Sequence, residues 1–245
     1  MSLGDFSQQA KAYSKARPGY PAEMLDQLLL DLDIIPRNRV ADIGAGTGIF
    51  TQMLAARDLL VTAIEPNKAM LDQIENHPRI QEQIGTFEGT GLSASSQDWV
   101  VAAQAFHWAD PERALPEIRR ILKPGGQFSV LWNNRRNEDS PLLLFTMKTI
   151  TDIIPEFQHD YRQKDWVQVL LSTGDFSKVA TLSCDHSVNM SQERYLDLWR
   201  SHNRLNTTAG PVRMQKLIDQ ITHYLDQLGN SDLEIPYCCD VWSVS

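Results

Sequence analysis

Val40-Ala41-Asp42-Ile43-Gly44-Ala45-Gly46-Thr47-Gly48 sets an acid near the end of a short apolar run and three glycines directly behind it. An apolar run closed by glycines reads as a buried strand entering a tight turn. Ile49-Phe50-Thr51-Gln52-Met53-Leu54-Ala55-Ala56 follows, with the spacing of an amphipathic helix. Strand, glycine turn and helix make a corner where the main chain lets a ligand approach closely. The next apolar run, Leu60-Val61-Thr62-Ala63-Ile64, closes on Glu65. An acid at that strand tip is placed to accept hydrogen bonds from both hydroxyls of a ribose.

The spacing separates two cofactors that use this corner. A nicotinamide fingerprint reads G-x-G-x-x-G/A, with its third small residue inside the helix. Here the glycines run G-x-G-x-G, and Asp42 stands two residues before the first. A carboxylate there repels a pyrophosphate and suits a cationic α-amino group. S-adenosylmethionine carries that amino group and a sulfonium. The alternative is a glycine turn that only packs strand against helix.

The length of 245 residues suits one α/β domain with insertions, and no apolar run reaches the length of a membrane span. Neither a signal segment nor a membrane association is expected. The net charge is −8, and the basic clusters Arg119-Arg120-Lys123 and Arg135-Arg136 are short. That balance argues against nucleic acid, whose phosphates require a basic stripe, and against anionic membrane surfaces. The three cysteines, Cys184, Cys238 and Cys239, form no disulfide framework. A reducing cytoplasm is therefore expected. No His/Cys/Asp cluster has ligand spacing, so no metal is expected.

Alternating strands are expected at Arg39–Ile43, Leu60–Ile64, Arg79–Ile84, Asp98–Gln104 and Gln127–Asn133. The helices between them are expected near Thr47–Arg57, Asn67–Asn76 and Pro111–Leu122, with Lys123-Pro124-Gly125-Gly126 as a break. Ala22–Leu32 reads as a helix before the first strand. Beyond Asn133, helices are expected over Pro141–Ile154, Lys164–Thr173, Gln192–Asn203 and Val212–Leu228, and strands over Lys178–Val188 and Glu234–Val244. The expected architecture is α/β, Rossmann-like: a seven-stranded, mostly parallel sheet with an antiparallel last strand and extra helices as a substrate cap. Residues 1–245 read as one domain, with an N-terminal lid over 1–35, a cofactor core over 36–135 and helical insertions over 136–245.

These segments, in this order, resemble the class I S-adenosylmethionine-dependent methyltransferases. The resemblance covers most of Tyr13 to Asn133. It rests on the Asp42-to-Gly48 loop, Glu65, the segment Ala102-Gln104-Phe106-His107-Trp108, and Glu117 through Gly126. Tyr13-x-x-x-Arg17-Pro18-x-Tyr20-Pro21 and Phe106-His107-Trp108 are similar to a narrower subgroup, the trans-aconitate methyltransferase-like enzymes.

The resemblance implies roles residue by residue. Main chain at Gly44, Ala45, Gly46 and Gly48 would face the methionine and ribose portions of the cofactor. Asp42 would orient the amino end and Glu65 the ribose. Pro66 and Met70 would flank the adenine, and Thr86 and Phe87 would meet its rim. Many relatives carry Asp where Thr86 stands, so adenine recognition here leans more on main-chain groups. Gln104 and Ala105 would lie near the reactive methyl.

His107 is the candidate catalytic residue, as a base or as a hydrogen-bond donor; a structural histidine is the alternative. Tyr13 and Arg17, counted with the cofactor site, and Tyr20 would form a lid. Arg17 would pair with a carboxylate of cofactor or substrate, or else form a surface ion pair. Trp108 and Trp132 are candidates for the acceptor pocket, with core packing as the alternative. Asn133 and Arg135 follow strand five toward the same crevice. Arg200, His202, Asn203 and Arg204 read as a solvated helix face.

The expected activity is methyl transfer from S-adenosyl-L-methionine, giving S-adenosyl-L-homocysteine, to a small-molecule acceptor. A carboxylic acid giving a methyl ester is the expected acceptor type. A cofactor-binding regulator or scaffold without turnover is the rival reading. A nicotinamide oxidoreductase and a nucleic-acid methyltransferase are disfavoured by the glycine spacing and by Gln104-Ala105-Phe106-His107 respectively. A monomer or homodimer is expected.

Overall fold

The computed structural model describes residues 17–157, 164–229 and 231–245. Helix α1 (Ala22–Asp31) precedes strand β1 (Arg39–Ile43), helix α2 (Ile49–Ala55), β2 (Leu60–Ile64), the short α3 (Lys68–Leu71), β3 (Ile80–Gln83) and β4 (Gln97–Ala103). A 3-10 turn (Phe106–Trp108) leads into α4 (Pro111–Ile121) and then directly into β5 (Leu122–Arg135). The later elements are α5 (Pro141–Ile153), α6 (Trp166–Leu171), β6 (Val179–Ser191), α7 (Gln192–Arg200), α8 (Asn203–Leu228) and β7 (Asp232–Val244).

The seven strands form one sheet in the order β3-β2-β1-β4-β5-β7-β6. β1 pairs in parallel with both β2 and β4, and β3 and β5 extend the parallel part outward. The order reverses between β1 and β4, so the carboxyl ends of those strands open the crevice where such sheets bind ligands. β7 runs antiparallel: Ser129 and Ser243 hydroxyls meet at 2.7 Å, and Arg136 N donates to Pro236 O at 3.0 Å. The expected mostly parallel sheet with its antiparallel last strand is the sheet observed.

Local chemistry explains the element ends. β1 is buried from Val40 through Ile43, as a strand covered on both faces requires. α4 starts where the Asp110 carboxylate accepts from Glu112 N and Pro111 occupies the first turn. Ser140 and Ser191 cap α5 and α7 in the same way. α8 is two helices joined at a kink: the second starts at Pro211, in agreement with the helix expected from Val212, and the first is a short additional helix that His202 Nδ1 caps, accepting from Leu205 N at 3.2 Å. Its path breaks at Gly210 (φ +69°), followed by Pro211. The expected Gln192–Asn203 helix accordingly ends at Arg200, and Asn203 opens the next one.

The chain divides into two compact units. The first holds residues 19–133, 164–184 and 239–245; the second holds the described residues of 17–18, 134–157 and 185–238. The first unit packs Leu25, Val40, Leu54, Trp99, Val101, Leu131 and Val241 into one apolar cluster. The second packs Leu143, Ile150, Tyr195, Trp199, Leu217, Ile221 and Leu225. Full burial of such side chains stabilises by about 1.5–3 kcal/mol each.

Part of the expected 1–35 lid is core instead. Met24, Leu25 and Leu28 form the apolar stripe of α1 and lie in the first unit's cluster beside Phe50. Tyr13 lies outside the described residues.

Candidate functional site

The site grows from the turn that joins β1 to α2. Gly44, Gly46 and Gly48 adopt φ of +73°, +57° and +81°. A Cβ on Gly44 would stand 2.5 Å from the Ala105 Cβ, and one on Gly48 would stand 2.8 Å from Ile74 Cγ1. Both space and backbone therefore demand glycine at these two positions. Gly44 N and Ala45 N donate to Ile64 O at 2.8 and 3.1 Å, which ties the turn to the tip of β2.

Glu65 completes that tie. Its Oε2 accepts from Gly46 N at 3.1 Å and its Oε1 from Asn67 N at 3.0 Å. Burial raises its pKa, and the two main-chain donors work against that rise. Each oxygen retains a lone pair, so a diol remains within its accepting capacity.

Asp42 is the most perturbed group of the turn. It is 1% exposed, and Thr51 Oγ1 donates to its Oδ2 at 2.6 Å. Its Oδ1 is buried without a partner, as is Oγ1 of Thr47 in the glycine turn itself. Burial pushes the Asp42 carboxyl up to about 7; the Thr51 bond pulls against this, and the Glu65 charge adds to it. A carboxylate with one satisfied and one open oxygen, in a cradle of glycines, fits a ligand ammonium. Thr47 and Thr51 were missed by sequence reasoning. The only available signal is a hydroxyl in the glycine turn and another one helical turn further on.

The tip of β4 supplies the opposite wall. Gln104 holds φ +59°, a left-handed backbone rare for a side-chain-bearing residue. Its main-chain N donates to Leu131 O and its Nε2 to Asn133 O, both at 2.8 Å. Ala105 is buried against Gly44. Phe87, buried, meets Phe106 edge-on at 5.4 Å and lies beside Gly44. Thr86 closes a narrow turn by exchanging main-chain bonds with Gly89. Met70 is buried beside Gly46, and Pro66 is half-buried just after Glu65.

His107 sits in the 3-10 turn after β4, half-buried, its ring 4.9 Å from that of Trp108. Trp108 is 47% exposed. Tyr20 lies edge-on to Phe50 at 4.9 Å. Asn133 Nδ2 donates to Gly19 O at 3.0 Å.

The structure thus brings Asp42, the glycine turn, Glu65, Met70, Phe87 and Ala105 together. It sends Trp132 elsewhere. That ring is 1% exposed, stacked on Trp166 at 4.0 Å and edge-on to Trp242 at 5.6 Å. Its side chain is core rather than pocket wall, because three indoles fill one another's surface. Arg135 belongs to the second unit, its guanidinium 4.4 Å over the Trp199 ring and close enough to Tyr195 to act on that phenol. Arg17 is also in the second unit, where its carbonyl accepts from Arg194 Nη2 at 3.2 Å. Arg200 pairs with Glu193 and Asp197 at the surface, the solvated face expected of it. Among the described residues, no group of three or more His, Cys, Asp or Glu is gathered to hold a metal. Among the described residues, no helix is long and apolar enough to cross a membrane.

A mostly parallel sheet with a switch point at β1/β4, a glycine turn there and acids on β1 and at the tip of β2 define a Rossmann-like nucleoside-binding site. Comparisons with known proteins narrow this. A family described as a methyltransferase domain matches residues 41–130. An uncharacterized methyltransferase of Mycobacterium tuberculosis is 34% identical over 243 residues, covering 97% of this chain and 93% of the relative. A protein of Anaeromyxobacter dehalogenans assigned as a type II methyltransferase shares the fold with a TM-score of 0.66 at 21% identity, over 93% of this chain and 97% of that one. Phosphoethanolamine N-methyltransferase 2 of Haemonchus contortus, solved with S-adenosyl-L-methionine, shares it with a TM-score of 0.56 at 16% identity, over 100% of this chain and 60% of that one. The chain belongs to the S-adenosylmethionine-dependent methyltransferases, and S-adenosyl-L-methionine is its cofactor.

Proposed function

We propose that this methyltransferase acts on a small molecule, transferring the methyl group to a carboxylate and giving a methyl ester. The observation that carries the cofactor assignments is the buried Asp42 carboxylate, whose Oδ1 is open while Thr51 holds Oδ2. In this reading Asp42 accepts from the amino end of the cofactor. Main-chain groups of Gly44, Ala45, Gly46 and Gly48 line its length, and Glu65 accepts from the ribose hydroxyls. Pro66 and Met70 flank the adenine, Thr86 and Phe87 meet its rim, and Gln104 and Ala105 border the methyl end. The bound cofactor supplies a methyl group on a positively charged sulfur.

The chain's own contribution is alignment and exclusion of water, an orientation effect. A carboxylate acceptor is already a nucleophile and needs no base, so His107 holds a hydrogen bond to it; an acceptor with a proton to lose would make His107 the base. Arg17 and Arg135 are the cations assigned to acidic groups. Tyr13, Tyr20, Trp108 and Asn133 complete the acceptor and lid assignments. The likeness of Tyr13-to-Pro21 and Phe106-His107-Trp108 to the trans-aconitate methyltransferase-like subgroup also supports an acid. In this reading the enzyme is cytoplasmic, in keeping with three thiols and no disulfide framework, and monomeric or homodimeric; the net charge of −8 supports an acceptor other than nucleic acid.

The test is transfer of labelled methyl to a panel of mono-, di- and tricarboxylic acids, amines and phenols. Product label released by mild alkali, from acids alone, supports the ester. Alkali-stable label on an amine or phenol overturns it.

A further inference from the structure

β6 and β7 are antiparallel neighbours, and three contacts set one register along them. Lys178 and Ser245 exchange main-chain hydrogen bonds of 3.4 and 3.3 Å. Ser183 Oγ donates to Asp240 Oδ1 at 2.7 Å. The His186 ring stacks on that of Tyr237, centroids 5.6 Å apart. All three pairs obey the same pairing, so no bulge intervenes, and Cys184 stands directly opposite Cys239.

Directly opposed residues project to the same face of a sheet. The packing agrees: Cys239 and Val241 of β7 and Cys184 and Leu182 of β6 all lie in the first unit's apolar cluster. Cys239 is fully buried and Cys184 half-buried, and both are thiols. Cys238 precedes Cys239 on the strand and so projects to the other face.

The geometry points to a cross-strand dithiol: we propose that Cys184 and Cys239 close into a disulfide when a hydroperoxide oxidises them. The mutual bonds of Lys178 and Ser245 make Cys184 and Cys239 a hydrogen-bonded pair as well, with a Cα spacing of about 5.5 Å. Disulfides bridge Cα spacings of about 4.4–6.8 Å. Cys184 is the attacking residue because it is the one with solvent access. Its thiolate sulfur attacks a peroxide oxygen; the O–O bond breaks and the departing oxygen takes up a proton. This leaves a sulfenic acid on Cys184. The Cys239 sulfur then loses its proton, attacks the Cys184 sulfur and displaces the sulfenic oxygen as water. Two thiols lose two electrons in all, and the peroxide accepts them. The product bond clasps the edge strand β6 to β7.

The test is hydrogen peroxide treatment of the full chain, then alkylation under denaturing conditions and non-reducing peptide mapping. We expect two of the three thiols to become unavailable to alkylation and to return with dithiothreitol. The Cys238→Ser protein, whose remaining thiols are Cys184 and Cys239, should give the same linked peptide. A link that uses Cys238 overturns the proposal. So does Cys184 carried to sulfinic acid with Cys239 still alkylatable, or three thiols intact when a free cysteine peptide in the same tube has fully reacted.

Discussion

Thr51 donates to one oxygen of Asp42 at 2.6 Å, from the first turns of α2 back to β1, and leaves the other oxygen buried and open. The bond fixes which carboxylate oxygen faces the glycine turn. It also makes a helix residue with no ligand role of its own a determinant of the site's electrostatics.

Asp42→Asn keeps the shape and removes the charge. Losing a hydrogen bond to a charged group costs about 1.5–3 kcal/mol, so affinity for S-adenosyl-L-methionine should fall roughly ten- to hundredfold. Calorimetric titration checks this, and unchanged affinity would remove Asp42 from the cofactor site.

The same carboxyl predicts two opposite pH dependences. Its folded value of about 7 stands above the ordinary 3.8, so folding favours the protonated form. That contribution to the stability of the ligand-free protein is complete below the ordinary value and is lost as pH rises through about 7. Cofactor affinity should move the other way and rise through about 7, because the ionised carboxylate pairs with an ammonium. Melting temperatures and titrations across this range should show both slopes, and Asp42→Asn should flatten both.

Thr51→Val leaves both Asp42 oxygens without a protein donor. The bond lowers the Asp42 pKa, so its loss should move the affinity midpoint to higher pH. Stability should drop by about 1–3 kcal/mol, the cost of a buried polar group left unsatisfied. A melting curve gives the second quantity. An affinity–pH profile identical to that of the parent would show that Thr51 does not tune Asp42.

His107→Ala should lower kcat with little change in cofactor affinity, since His107 lies past β4 and outside the glycine turn. Retained turnover would make it structural. For an acceptor that must lose a proton, the acidic limb of the rate profile, where rate rises as the imidazole deprotonates, should vanish; for a carboxylate acceptor, that His107-dependent limb should be absent in the parent too.

Trp132→Ala should act on stability, costing about 3–5 kcal/mol as a large buried ring is replaced by a cavity between Trp166 and Trp242. Trp108→Ala, at an exposed ring, should cost far less. Chemical denaturation of the two variants compares them directly.

The parallel core was legible because its inner strands β1, β2 and β4 carry apolar runs, whereas the edge strand β3, Ile80-Gln81-Glu82-Gln83, does not. The observed β1 and β2 match the expected bounds, Arg39–Ile43 and Leu60–Ile64. The helix expected over Asn67–Asn76 shrank to Lys68–Leu71, although Ile74 beyond its end is still buried. The short helix that opens α8 before Gly210 was not legible. Its first turns are polar and depend on an imidazole cap, and no periodicity announces a cap by histidine. Trp132 and Trp108 look alike in sequence; one is buried by two other indoles and the other is half in solvent.

Sequence by itself determined the strand–glycine–helix corner, the acids Asp42 and Glu65, the alternation of strands and helices, and the family. These are local properties: residue type, spacing and period decide them. Tertiary structure alone decided that Thr51 holds Asp42, that Glu65 clasps Gly46, that Trp132 is core, that Arg135 lies over Trp199, and that Cys184 faces Cys239. The last two pairs join residues far apart in the chain. Only sheet register and packing bring them together, and register depends on every pair along two strands at once.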